Sequence, residues 1–392
     1  MNNNLSLKEY ILINIAFLIC IPSIFTGFYL CKNYGFYESI IGIFLSGIIF
    51  FMISIFFGKL SINNPGKSTI EIVNNYFYEL GIILSVIGIS IPMTGWFSLQ
   101  INLLTDSFKE FFNFNFYFLT IILGFLMTLS VLNGIKNIKI ISNFSFLIKI
   151  LIIFFIYQKF NYSFFLNSIP KLNLDKNLIF FMIASLINGI IDNPTITRYM
   201  QSFKEINIGS FFIYALFFPL IIFSGVFLAK IFPNLNFMES IYKIIDNNIW
   251  KYSVLIFMIT GTFVINSANL FSAATAISSF KNFKISYLKS VILIGIIGTL
   301  LSCFNIIDYF SQTLDFISII TVSMGTILIF NDNLKNKFSK KSNTFQLILS
   351  IILTFLFSFL KLKFLTNYIF INSFLITLFV NIFTLIFYKT NK

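Results

Sequence analysis

Twelve long apolar segments separated by short polar turns constrain this chain more than any other feature. They run near residues 10–31, 36–57, 79–105, 115–134, 138–157 and 177–198, then 207–231, 251–279, 287–304, 308–330, 344–361 and 365–388. At about 1.5 Å of rise per residue, roughly 20 apolar residues carry a helix across the hydrocarbon core of a bilayer. Backbone polar groups find no water there, so such segments are read as helices that satisfy their own hydrogen bonds. The composition agrees: 57% of the 392 residues are hydrophobic and 10% are charged, too little polar surface to cover a soluble domain. The expected fold class is an all-α polytopic membrane protein of about 12 transmembrane helices. It forms a single integral-membrane domain over residues 1–392, located multi-pass in the cell membrane. Phe, at 56 residues, takes the place of Leu on lipid-facing surface.

Charge then orients the chain. The 27 basic residues against 14 acids give a net charge of +13, but the lysines are scattered through short loops and form no basic stripe. Nucleic acid is therefore not an expected partner; membrane lipid is. With the N-terminus inside, basic residues show a modest inside excess, notably Lys281, Lys284 and Lys289, and then Lys335, Lys337, Lys340 and Lys341. An even number of spans places both termini in the cytoplasm. The first apolar run is followed by no small-residue cleavage site, so it is read as a retained helix and not a signal peptide. Cys20, Cys31 and Cys303 lie in or beside apolar segments with no disulfide or metal spacing, and there is no histidine. No metal site and no cofactor are expected. A membrane enzyme needs clustered acids, histidines or metal ligands, and a flippase needs a wide basic cavity; the chain shows neither.

The third segment carries the first candidate site. No charge interrupts it between Glu79 and Asp106, and Pro92-Met93-Thr94-Gly95-Trp96-Phe97 sits near its middle, with Gln100 four residues after Trp96. Tryptophan usually marks the interfacial belts, so an indole at mid-membrane needs another reason. Trp96 and Gln100 share one helical face, and an indole plate beside an amide suits a flat, hydrogen-bonding ligand. The bland alternative is a packing Trp and a Gln bonded to a neighbouring helix.

Two other segments read as broken. The first has Pro22-Ser23 and Thr26-Gly27 in its middle, and the sixth has Asn188-Gly189 and Asn193-Pro194. Pro removes a backbone donor and Gly loosens the helix, so freed backbone groups there can face a cavity. Five spans separate the two breaks, and a five-helix unit repeated with an odd span count is inverted in the membrane. The pattern is that of a 5+5 inverted-repeat transporter: repeat one about 10–157, repeat two about 177–330, and two extra C-terminal helices about 344–388. Pro219 in the seventh span reads as an ordinary kink.

The motifs add a resemblance. Gly95-Trp96-Phe97-Ser98-Leu99-Gln100 is similar to the third-helix motif of the nucleobase:cation symporter family, which includes cytosine permease and the hydantoin, allantoin and uracil transporters. Asn193-Pro194-Thr195-Ile196-Thr197-Arg198-Tyr199 resembles that family's sixth-span motif. Asn266-Ser267-Ala268-Asn269-Leu270-Phe271 resembles its eighth, and Ile296-Ile297-Gly298-Thr299-Leu300 its ninth. The resemblance implies a symporter importing a nucleobase or related planar heterocycle such as cytosine; a hydroxymethylpyrimidine or a hydantoin or allantoin type of substrate is the alternative. It implies that Trp96 stacks on the ring, Gln100 bonds its edge, Ser185 stands beside the site, and Asn266 and Asn269 present amides. The family's second aromatic plate falls on Leu186, its acidic residue after the proline falls on Thr195, and Met93 stands where cytosine permeases carry Gln.

The coupling cation, proton or sodium, follows from the same resemblance. In sodium-dependent relatives the ion lies between first-span carbonyls, here around Cys20 to Ser23, and two eighth-span hydroxyls, here at Val264 and Ile265. Aliphatic side chains offer a hard cation no oxygen. A proton is the expected coupling ion, carried by Asp315 in the tenth span or Asp192 in the sixth, since intramembrane acids are costly unless they face a cavity or a partner. Arg198, the only arginine, reads as an inside-facing anchor, with an ion pair gating the inner vestibule as the sharper reading. Lys149 snorkels inward or pairs with an acid. Trp250 reads as an interface anchor.

Overall fold

The computed structural model describes residues 4–109, 112, 114–159, 175–243, 248–304, 307–334, 338–360 and 368–390. Each apolar segment of the sequence falls on a helix, and among the described residues there is no β-strand. Among the described residues, seven helices are long and apolar enough to span a bilayer by themselves, or nine when each of two bent pairs is taken as one span. The chain is an all-helical, multi-pass membrane protein.

The first span is two helices, Leu7–Leu18 and Ile21–Tyr34, meeting at 56°. It starts on a capping box, in which Ser6 accepts from the Glu9 amide and Glu9 accepts from the Ser6 amide. The break lies at Ile19 and Cys20, just ahead of the proline the sequence pointed to. Cys20 is extended (φ −143°, ψ 165°), and Pro22 sits in the first turn of the second half, where its missing N–H costs nothing. Gly27 does not loosen the helix; a Cβ there would stand 1.9 Å from the Ile222 carbonyl oxygen of the seventh span. Gly225 on that span faces back, its own Cβ position 1.9 Å from the Ile24 oxygen. The two glycines let the backbones touch.

The sixth span runs as Lys176–Ile191, turns at Asp192 and Asn193, and resumes as Pro194–Thr197. The interruption is again at the proline end; Asn188 and Gly189 lie inside the helix. The seventh span departs from the ordinary kink expected at Pro219: Phe203–Ser210 passes through a π-helical turn, Phe211–Phe217, before Phe218–Ile231. The wider turn absorbs an extra residue ahead of the proline and rotates Ile213 and Tyr214 inward.

The third span, Glu79–Lys109, and the eighth, Asn248–Ser279, are unbroken. Short helices that no apolar period announced lie at Thr69–Tyr76 and Phe237–Lys243. Each joins the second and third spans of its repeat, so the repeat symmetry extends into the loops.

Candidate functional site

The third span is fixed by its back face. Ser98 Oγ donates to the Gly298 carbonyl at 2.8 Å, Asn102 Nδ2 donates to the Ser302 carbonyl at 3.2 Å, and Asn266 Nδ2 donates to the Phe97 carbonyl at 3.1 Å. With that face held against the eighth and ninth spans, Met93, Trp96 and Gln100 turn to the other side, spaced three and four residues apart. They line a cavity of about 180 Å³ bounded by the first, third, sixth, seventh and eighth spans. An apolar cavity of about 150 Å³ holds a benzene ring, so the volume suits one substituted flat ring.

The other walls follow the same helical logic. The sixth span contributes Ser185, Leu186, Asn188 and Gly189, and the eighth contributes Ile265, Ala268, Asn269 and Ser272. The break of the first span contributes Cys20 and Ser23, whose Sγ and Oγ lie 3.3 Å apart. Trp96 is half-buried, and Gln100 and Asn188 are 4% and 7% exposed. The Gln100 Oε1 and the Asn188 Oδ1 are buried acceptors with no hydrogen-bond partner. Both residues line the cavity, and a ligand that donates N–H or O–H groups would satisfy them, because a buried acceptor left unpaired is costly.

Of the residues singled out from the sequence, the structure brings Trp96, Gln100, Ser185, Leu186, Asn269, Cys20, Ser23 and Asp192 to this cavity. Asn266 is outside it: fully buried, it ties the eighth span to the third and accepts from Asn269 Nδ2 at 3.4 Å, which holds that amide at the wall. The Asp315 side chain and that of Trp250 lie outside the described residues. Asn188 was legible only as a helix breaker; its spacing of three from Ser185 was the available signal. On the eighth span Gly261, one turn before Val264 and Ile265, faces the first-span break, with its Cβ position 3.6 Å from Cys20 Cα.

Asp192 closes one end. It caps the sixth-span helix, accepts from Thr195 Oγ1 at 2.7 Å and from Ser272 Oγ at 2.5 Å, and so links the sixth and eighth spans. Thr195 in turn meets Thr69 Oγ1 at 3.2 Å. Arg198 is more than an anchor: Nη1 pairs with Glu71 Oε2 at 3.3 Å and Nη2 donates to the Tyr199 hydroxyl at 2.9 Å. Among the described residues no cluster of three His, Cys, Asp or Glu side chains could hold a metal ion.

Comparison with protein-family models and with curated protein sequences gives no match. Comparison with solved structures does. Mhp1, a nucleobase-cation-symport-1 family transporter in a closed conformation with bromovinylhydantoin bound, superposes with a TM-score of 0.77 over 97% of this chain and 92% of its own, at 15% identity. The fold is that of Mhp1. A Na+-coupled sialic acid symporter in a substrate-bound outward-open state gives 0.73 over 98% and 90%, also at 15% identity. A manganese transporter of Eremococcus coleocola gives 0.54 over 96% and 91%, at 11% identity. Agreement with Mhp1 over nearly the whole of both chains fixes the 5+5 arrangement with two further helices; the cavity described above lies among spans of both repeats.

Proposed function

We propose that this protein is a secondary active transporter, a symporter that imports a nucleobase or related planar heterocycle across the cytoplasmic membrane, with both termini in the cytoplasm. The observation that carries the reading is one cavity holding an indole plate and two unpartnered amide oxygens, Gln100 Oε1 and Asn188 Oδ1, between two broken helices. A ring such as cytosine, uracil or hydantoin offers a face to Trp96 and N–H donors to the amides. The fold shared with Mhp1, whose structure holds bromovinylhydantoin, supports the same class. An acidic sugar like the cargo of the sialic acid symporter suits the cavity less well. No lysine or arginine is among its lining residues to pair with a carboxylate.

A thermal-shift screen over cytosine, uracil, purines, hydantoin, allantoin and hydroxymethylpyrimidine tests this. One of these should raise the unfolding midpoint, since a ligand at about 100 times its Kd adds about 2.7 kcal/mol of stability. Trp96→Ala should abolish that rise with the protein still inserted, through lost ring area plus up to ~1.5 kcal/mol of stacking. Gln100→Leu should weaken binding by about 1–3 kcal/mol, leaving a ligand donor unpaired. Absence of any heterocycle effect, or an Ala variant that binds like the wild type, removes the reading.

A further inference from the structure

The break in the first span leaves an electrostatic problem that the heterocycle does not solve. In a continuous helix the Cys20 amide would bond to the Ala16 carbonyl; here it turns to Leu18 at 2.9 Å. The Ala16 oxygen is thus freed at the C-terminal end of a half-helix, where the helix dipole is negative and a cation is favoured. Lys149 of the fifth span, Ile135–Lys159, fills that place. Its side chain is fully buried, and its Nζ donates to the Ala16 carbonyl at 2.7 Å. Among the described residues no carboxylate forms an ion pair with it.

Among the described residues, the ionisable group facing Lys149 is the Cys20 thiol, which also lines the cavity. The eighth span faces both with Gly261, whose Cβ position lies 4.0 Å from Lys149 Cε and 3.6 Å from the Ile19 oxygen, so that residue brings no side-chain oxygen. Several other ionisable groups on the neighbouring spans are engaged elsewhere. Tyr10 meets Ser210 and Asn193, Lys139 pairs with Glu9, Tyr157 bonds to the Leu220 carbonyl, Tyr214 lines the cavity, and Lys230 lies over the Phe36 ring. A buried cation with one carbonyl and no counter-ion is expensive unless its charge is used.

We infer that the Lys149 ammonium is a tethered cation that holds the first-span break, so that the protein assembles its cavity without a free metal cation. Resting on the transporter reading above, it makes the proton on Nζ the coupling ion. The neutral amine takes a proton from water on one side of the membrane, the ammonium bonds to Ala16, and the same proton leaves to water on the other side. No other bond forms or breaks.

The test needs no heterocycle. Full-length protein in lipid nanodiscs is unfolded thermally in sodium chloride and in choline chloride at equal ionic strength. The wild type should melt at the same temperature in both. Lys149→Ala should melt several degrees lower in choline chloride and recover in sodium or methylammonium chloride, because either cation can occupy the vacated position at the Ala16 carbonyl. If that variant does not fold, Lys149→Gln, which keeps a donor but no charge, should show the same dependence. A wild-type midpoint that rises with sodium, or an uncharged variant as stable as the wild type in choline chloride, overturns the inference. Heterocycle uptake into proteoliposomes should follow an inward pH gradient and ignore sodium. If nothing in the heterocycle panel is bound or taken up, the transporter reading fails while the salt comparison still decides the role of Lys149.

Discussion

Gly225→Ala should leave little folded protein. The added methyl carbon would stand 1.9 Å from the Ile24 oxygen and 2.7 Å from the Phe28 nitrogen, both backbone atoms that no rotamer change can move. Relief requires the second half of the first span to shift away from the seventh, and with it Ser23 and Thr26 at the cavity wall. Overpacking a close-packed site costs about 1–3 kcal/mol when side chains can adjust, and more where backbones collide. Against a typical total stability of about 5–15 kcal/mol, that is a large share. Size-exclusion profiles and unfolding midpoints of detergent-solubilised protein should show aggregation or a marked drop. A monodisperse variant with the wild-type midpoint would mean that the two helices are not in contact as described.

Gly189→Phe should do the opposite: keep the fold and empty the protein of its ligand. A Cβ at Gly189 meets nothing within 4 Å because the residue looks into the cavity. A benzyl side chain there occupies much of about 180 Å³, the space assigned to the heterocycle ring. The unfolding midpoint without ligand should stay within a degree or two of the wild type, or rise, since a filled cavity gains contacts. Binding of whichever heterocycle stabilises the wild type should fall below detection. Retained affinity would move the site away from Gly189.

The sequence made the all-helical membrane class, the two broken helices and the repeat legible because apolar length and proline placement are local properties. It placed the first break a few residues late, since Pro22 sits in the first turn of the resumed helix and the extended Cys20 precedes it, while Asn193 and Pro194 do mark the break of the sixth span. Trp96 and Gln100 were readable from a helical spacing of four. Asn188 was not, because nothing in its neighbourhood says that its oxygen has no partner. Asn266 and Asn269 were inseparable for a related reason. Residues three apart share a helix face only approximately, and the Phe97 carbonyl of another span captures the first. Lys149 had one apparent choice, to snorkel or to find an acid; its actual partner is a carbonyl freed by a distortion 133 residues away in the chain. Tertiary capture of freed backbone groups leaves no mark in a single sequence.

The short helix Thr69–Tyr76 gives the molecule uneven compliance. Glu71 meets Arg198 of the sixth-span end, Ser68 meets Ser279 of the eighth at 2.9 Å, and Tyr76 meets Asp332 of the tenth at 3.2 Å. Each is a polar contact in which water can replace the partner on parting, at a net cost of about 0.5–1.5 kcal/mol for the hydroxyl pair and about 1.5–3 kcal/mol for the charged ones. The crossing at Gly27 and Gly225 is set by hard backbone contact, and water cannot stand in for it. One region is therefore a stiff keel and the other a seam of separable stitches, and displacement of the spans around the cavity is softest along the seam.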